Sequence, residues 1–164
     1  MQDIYRLIDT HAHLDEIAGL DDTLAAARIA GVMAIIAVGS DYQSNQKILQ
    51  LARTHSDFVY PALGLHPWNI KDSEIDGSLA FIEANIDKAV AVGEIGLDYH
   101  KKVRAVADKD LQQYVLKELL KIAAKYHKPA LIHSRYAWRD ALTWLNRHNL
   151  KKWCFTGIRG PQVY

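Results

Sequence analysis

Two histidines stand one residue apart in Leu7-Ile8-Asp9-Thr10-His11-Ala12-His13-Leu14-Asp15. In a β-strand, residues i and i+2 point to the same face. A strand ending at His13 therefore puts His11 and His13 on one side, where two imidazoles can converge on a metal ion. Such a pair also arises by chance at strand ends, so its meaning depends on the rest of the chain. Glu94 interrupts an otherwise apolar run, Ala89-Val90-Ala91-Val92-Gly93-Glu94-Ile95-Gly96-Leu97. An ionised carboxylate there is costly unless it pairs with a lysine or arginine or binds a metal. His133 ends Ala130-Leu131-Ile132 and precedes Ser134-Arg135, while His66 lies in Gly64-Leu65-His66-Pro67-Trp68. Each alone also fits a satisfied histidine at a strand end. Taken together, His11, His13, Glu94 and His133 form a histidine-carboxylate set. It suits zinc, manganese, iron or nickel, and not a structural thiolate zinc site. With His11 and His13 on one ion, His133 on a second and Glu94 bridging, the set suits in-line displacement at phosphorus by metals ~3.5–4 Å apart. His55, His100, His127 and His148 lie among charged residues and read as solvated surface.

The elements that must position these residues alternate regularly. Strands are expected over Arg6–His13, Val32–Gly39, Phe58–Leu65, Ala89–Leu97, Pro129–Ser134 and Lys152–Thr156. The run Val32–Gly39 is apolar throughout, as in a strand buried on both faces. Pro67 stops the third strand, because proline cannot donate to a ladder. Helices are expected from an Asp21-Asp22 cap to Ala30, and over Asp41–His55, Leu79–Asn85, Asp110–Tyr126 and Ala137–Arg147. Strand-helix alternation indicates right-handed βαβ units and a parallel sheet. Open doubly wound sheets and barrels both read this way. No phosphate-binding glycine fingerprint follows the first strand, which weakens the nucleotide-binding reading. Polar residues instead gather at successive strand C-termini, the active-site face of a barrel. The expected fold class is α/β, a (β/α) TIM-barrel type with about six of eight βα units, since a full barrel takes ~250 residues.

Length and composition bound the class. The chain has 164 residues, 49% hydrophobic and 24% charged, as in an ordinary single globular domain. The net charge of +1 gives no bulk electrostatic case for nucleic-acid binding, though a local patch remains open. Cys154 is the lone cysteine, so no intrachain disulfide forms, and a cytoplasmic location is expected. The N-terminus lacks a signal-peptide pattern, and no apolar run is long enough to span a membrane.

Four blocks carry a family resemblance: Asp9-Thr10-His11-Ala12-His13-Leu14-Asp15, Gly64-Leu65-His66-Pro67, Gly93-Glu94-Ile95-Gly96-Leu97-Asp98-Tyr99 and Leu131-Ile132-His133-Ser134-Arg135. In their order and spacing they resemble the TatD-type metal-dependent hydrolases, deoxyribonuclease-like members of the amidohydrolase superfamily. The third block is the most specific. The resemblance runs from about Ile8 to Gly160. It implies a (β/α) barrel, two divalent ions (zinc, magnesium or manganese), and hydrolysis of phosphodiester bonds with DNA as substrate. It assigns His11, His13 and Glu94 to one metal, and Glu94 and His133 to the other. His66 and Arg135 then look like contacts to the substrate phosphate or the transition state, which with Glu94 makes them the catalytic set.

The chain also departs from the pattern. The family's sixth strand ends in a further histidine ligand; aligned on the Gly-x-Arg-Gly form of the tail, Thr156 holds that slot, and aligned on the Cys-Phe-Thr-Gly form Trp153 holds it. The first alignment matches more of the tail. The family's late aspartate ligand falls beyond Tyr164, so the resemblance implies a member shortened after its sixth strand, with one ion lost. Three readings follow: a metal-dependent nuclease, a degenerate relative that binds metal or a partner without turnover, and a related amidohydrolase acting on a cyclic amide or ester. The absent lysine-type bridging ligand weighs against the third. Open barrel edges at the first and sixth strands are also expected to promote self-association.

Overall fold

The computed structural model describes residues 6–159. Residues 1–5 and 160–164, which include Gly160 of the tail, lie outside the described residues. Six strands form one sheet in the order β1 (Leu7–Ala12), β2 (Val32–Val38), β3 (Val59–Leu63), β4 (Ala91–Asp98), β5 (Ala130–Arg135) and β6 (Trp153–Arg159). Every neighbouring pair is parallel. The helices are α1 (Leu20–Ile29), α2 (Tyr42–Thr54), α3 (Ile75–Asn85), α4 (Lys101–Arg104), α5 (Lys109–Lys125) and α6 (Trp138–Arg147). This is the expected TIM-barrel-type order.

The sheet curls strongly. Flat, β1 and β4 would stand about 14 Å apart, three strand spacings. Yet His11 on β1 comes within 3.3 Å of Glu94 on β4. Strand twist accumulating along one direction bends the sheet into a barrel wall. Its inner face brings distant strands together.

The densest packing lies around β4. All eight of its residues are buried, as expected for a parallel strand covered on both faces. The α5 face of Leu116, Leu119 and Leu120 packs against it, in one cluster with Ile95, Leu97 and Ile132. Asp108 caps α5 by accepting a hydrogen bond from the Leu111 amide, and Asp41 caps α2 in the same way through Ser44.

Several expectations need correction. Helix α1 starts at Leu20 behind Gly19, whose φ of +64° turns the chain, so Asp21 and Asp22 sit in the first turn and are not the cap. Helix α3 begins at Ile75, four residues before Leu79, because a short 3₁₀ turn over Asp72–Glu74 leads into it and Ile75 is buried. The short helix α4 was not expected. Strand β6 runs three residues past Thr156. Strand β2 is buried only in its second half, with Met33 exposed, because β1 beside it leaves one side of the sheet open. Among the extra histidines only His127 is exposed; His55, His100 and His148 are half-buried, and none joins the site.

Candidate metal centre

The donors arrive on or just after four strands. His11 is near the end of β1, and its amide donates to Asp9 Oδ1 at 3.0 Å. His13 follows β1 directly. Glu94 lies within β4, beside an interruption in the pairing with β5 between Val92 and Ile95. Such irregularities re-aim side chains next to active sites. His133 is on β5. His66 follows β3, in a loop clamped by α2: the buried Asn45 donates to the Gly64 carbonyl at 2.8 Å and accepts from the Gly64 amide at 3.0 Å. A Cβ on Gly64 would lie 2.4 Å from the Glu94 carbonyl oxygen, so only glycine lets this loop lie against β4. The His66 amide then donates to the Ser40 carbonyl at 2.9 Å.

The side chains converge on one buried carboxylate. His11 Nε2 and His13 Nε2 lie 3.3 and 3.4 Å from Glu94 Oε2, and His66 Nε2 is 3.8 Å from the same oxygen. His133 Nδ1 faces Oε1 at 3.5 Å. Burial opposes the Glu94 charge, but hydrogen bonding from His11, His13 and His133 and the nearby His66 outweighs it, holding the carboxyl far below the usual range. The hydrogen bond to Glu94 raises the His13 pKa, against the opposing effect of burial. Burial, reinforced by His133, pushes His66 down to about 4. His66 is therefore neutral at pH 7. Its Nδ1 accepts from the Trp68 amide at 3.2 Å, which leaves the proton on Nε2, toward the site.

Two donor triplets result: His11, His13 and Glu94, and His66, Glu94 and His133. The residues fit a divalent ion. Direct N–H···O bonds favour ~2.9 Å. Donors around a tetrahedral ion ~2.1 Å away stand about 3.4 Å apart, and the first triplet has 3.3 and 3.4 Å. The curled sheet brings His66 beside His133, with ring centroids 4.4 Å apart.

Three further residues adjoin the site: Thr156, expected in the ligand slot of the sixth strand, and Asp98 and Gln112, which the sequence did not single out. Thr156 Oγ1 donates to Glu94 Oε1. The fully buried Asp98 contacts His133 Nε2 at 3.2 Å through Oδ2, accepts from the Trp68 indole N–H and lies 4.0 Å from Arg135. Burial opposes the Asp98 charge too, but its hydrogen bonds from Trp68, the His100 amide and His133 keep its pKa low. Carboxylate-histidine contacts of this kind orient metal ligands. The available signal was the even spacing from Glu94, which puts Asp98 on the same face of β4. Gln112, buried on α5, holds that strand end: it donates to the Asp98 carbonyl at 3.0 Å and accepts from the Asp98 amide at 2.8 Å.

A cavity of about 300 Å³ opens onto the donors, lined in part by His11, Glu94, His133, Arg135 and Thr156. Arg135 Nε is buried without a partner among the described residues, and the guanidinium, 4.0 Å from Asp98 through Nη1, lines the cavity where it can meet an anion.

Comparison with known proteins places the chain in a family. The chain is 32% identical over 159 residues to deoxyribonuclease TATDN3 of Homo sapiens, covering 89% of this chain and 58% of that protein. It is 31% identical over 152 residues to the 3'-5' ssDNA/RNA exonuclease TatD of Erwinia tasmaniensis, covering 85% of this chain and 55% of the relative. The metal-dependent hydrolase YjjV of Escherichia coli K12 is 35% identical over 161 residues. The crystal structure of YjjV superposes with a TM-score of 0.76, covering 90% of this chain and 57% of that one. The chain thus spans less than two thirds of the length of these relatives. The family model described as TatD related DNase matches residues 8–159, which include His11, His13, His66, Glu94 and His133, and the chain belongs to that family.

Proposed function

We propose that this chain forms the metal centre of a nuclease that hydrolyses phosphodiester bonds in DNA. The observation that carries the proposal is the convergence of four imidazoles on the single buried carboxylate of Glu94. His11, His13 and Glu94 would hold one divalent ion, and Glu94 and His133 a second. Zinc, magnesium and manganese are the metals the proposal admits. Bound divalent ions polarise a phosphoryl oxygen and lower the pKa of water. The protein does the rest. His66 presents an Nε2 proton to a phosphate oxygen. The Arg135 guanidinium faces the charge that develops on phosphorus. Asp98 holds the His133 ring in place, and Glu94 keeps its charge because its neighbours donate to it. A cytoplasmic setting and self-association through the exposed β1 and β6 edges complete the proposal. The single free thiol of Cys154 supports the former, and the exposure of Leu7 and Ile8 the latter. None of the described helices is long and apolar enough to cross a membrane.

A second reading, metal binding without turnover, is favoured by Thr156. Its hydroxyl occupies the Oε1 side of Glu94, which a second ion would need. Incubation of the purified chain with end-labelled DNA and manganese or magnesium separates the two. Metal-dependent cleavage lost in Glu94→Gln is the expected result; no cleavage, with the metal still bound, leaves the second reading.

A further inference from the structure

A second groove of about 600 Å³ adjoins the metal centre, lined by Trp68, His100, Lys101, Lys102, Val106 and Arg135 among others. Trp68 and Arg135 line both cavities, so the two share a wall. We propose that this groove is a subsite for one unpaired nucleobase of the strand being cut, with Trp68 as the stacking face and Lys101, Lys102 and Arg135 taking the flanking phosphates. The proposal rests on the nuclease reading and names where its substrate lies.

Trp68 is 57% exposed, unusual for so large an apolar residue. Its polar edge is nonetheless tied down, because the indole N–H donates to the buried Asp98. Exposure of the face with fixation of the edge makes a rigid platform. Val106, 70% exposed, adds apolar surface to the same groove. Neither Lys101 nor Lys102 enters an ion pair among the described residues, so both charges are available. Aromatic faces interleaved with unpaired cations are the chemistry that holds single strands, since every base has a stacking face and every nucleotide a phosphate. A base-paired nucleotide cannot present that face, so the groove discriminates against duplex.

Asp98 links the groove to the metal donors. One oxygen, Oδ2, meets both the Trp68 indole and His133 Nε2. A base seated on Trp68 is thereby held in register with the ring of His133. Asp98 acts here as a positioning residue.

Binding measured without metal tests this independently of cleavage. Fluorescence anisotropy in EDTA compares a short labelled oligothymidylate with an abasic oligomer of equal length, which keeps the phosphates and lacks the bases. The intact oligomer should bind about tenfold more tightly. Trp68→Ala should erase that difference, and Trp68→Phe should keep most of it. Should Trp68→Ala not fold, Trp68→Leu keeps apolar bulk without the aromatic face and should erase the difference likewise. Equal binding of the two oligomers by the unaltered chain, or a base preference that survives loss of the ring, overturns the proposal. Cleavage without base preference keeps the nuclease reading and removes the groove; base preference without cleavage does the reverse.

Discussion

Thr156 on β6 donates a hydrogen bond to Glu94 on β4, across a strand that lies between them in the sheet. The same hydroxyl reaches the Ile132 carbonyl on β5 at 3.3 Å. The contact places a neutral donor against Oε1, the oxygen that His133 Nδ1 faces at 3.5 Å. Where a ligand could stand, the chain has a hydrogen-bond donor.

Thr156→His puts an imidazole at that position. Calorimetry with manganese should show stoichiometry rising from about one ion to about two, as a two-metal site requires. An unchanged stoichiometry removes Thr156 from the account of the second site.

Glu94 is common to both donor triplets. Glu94→Gln keeps the shape and removes the charge. We expect metal affinity to fall at least about 100-fold, beyond the 10–100-fold typical of losing an outer-shell partner. Equal zinc affinity in the variant and the parent would sink the assignment.

The metal-free protein should lose stability in acid through His66. Burial lowers its pKa to about 4, from an unfolded value near 6.5. Between those values the unfolded chain binds more protons, so stability falls as pH drops from about 6.5 to about 4, and this contribution is flat below. His13 has a raised pKa, so it contributes stability that is fully present below its unfolded pKa and is lost as pH rises through the folded one, above the window in which His66 acts. Urea denaturation across this range should show a shallower acid loss in His66→Gln; an identical slope assigns the acid sensitivity elsewhere.

Gln112 secures the C-terminal end of β4 from α5. Gln112→Ala leaves the buried Asp98 amide without its acceptor, which costs about 1–3 kcal/mol. Chemical denaturation measures that loss directly. A variant as stable as the parent would mean that water replaces the amide.

The β1 edge carries Leu7 and Ile8, 54% and 60% exposed. Among the described residues β1 pairs only with β2, and β6 only with β5. Such edges invite pairing with another chain. Light scattering after size exclusion should show association of the purified chain, shifted toward monomer by Ile8→Lys. A parent that stays monomeric at high concentration refutes self-association through this edge.

The alternation of strands and helices, and the grouping of His11, His13, Glu94 and His133 as candidate donors, were legible in the sequence. Both rest on local rules: apolar runs mark buried strands, i and i+2 share a strand face, and a lone carboxylate in an apolar run demands a partner. The start of α3 was not legible, because Gly77 and the polar run before it mask a helix stabilised by burial of Ile75. Nor was the place of His66 beside His133, which needs the Asn45 clamp on Gly64 to bring the β3 loop against β4. Asp98 stood in a recognisable block, yet its partners Trp68 and His133 are 30 and 35 residues away. Only the curl of the sheet, set by twist and packing summed over six strands, decided which strand ends meet at Glu94. Periodicity along a chain specifies which face a side chain takes; contact across strands depends on a curvature that no local stretch encodes.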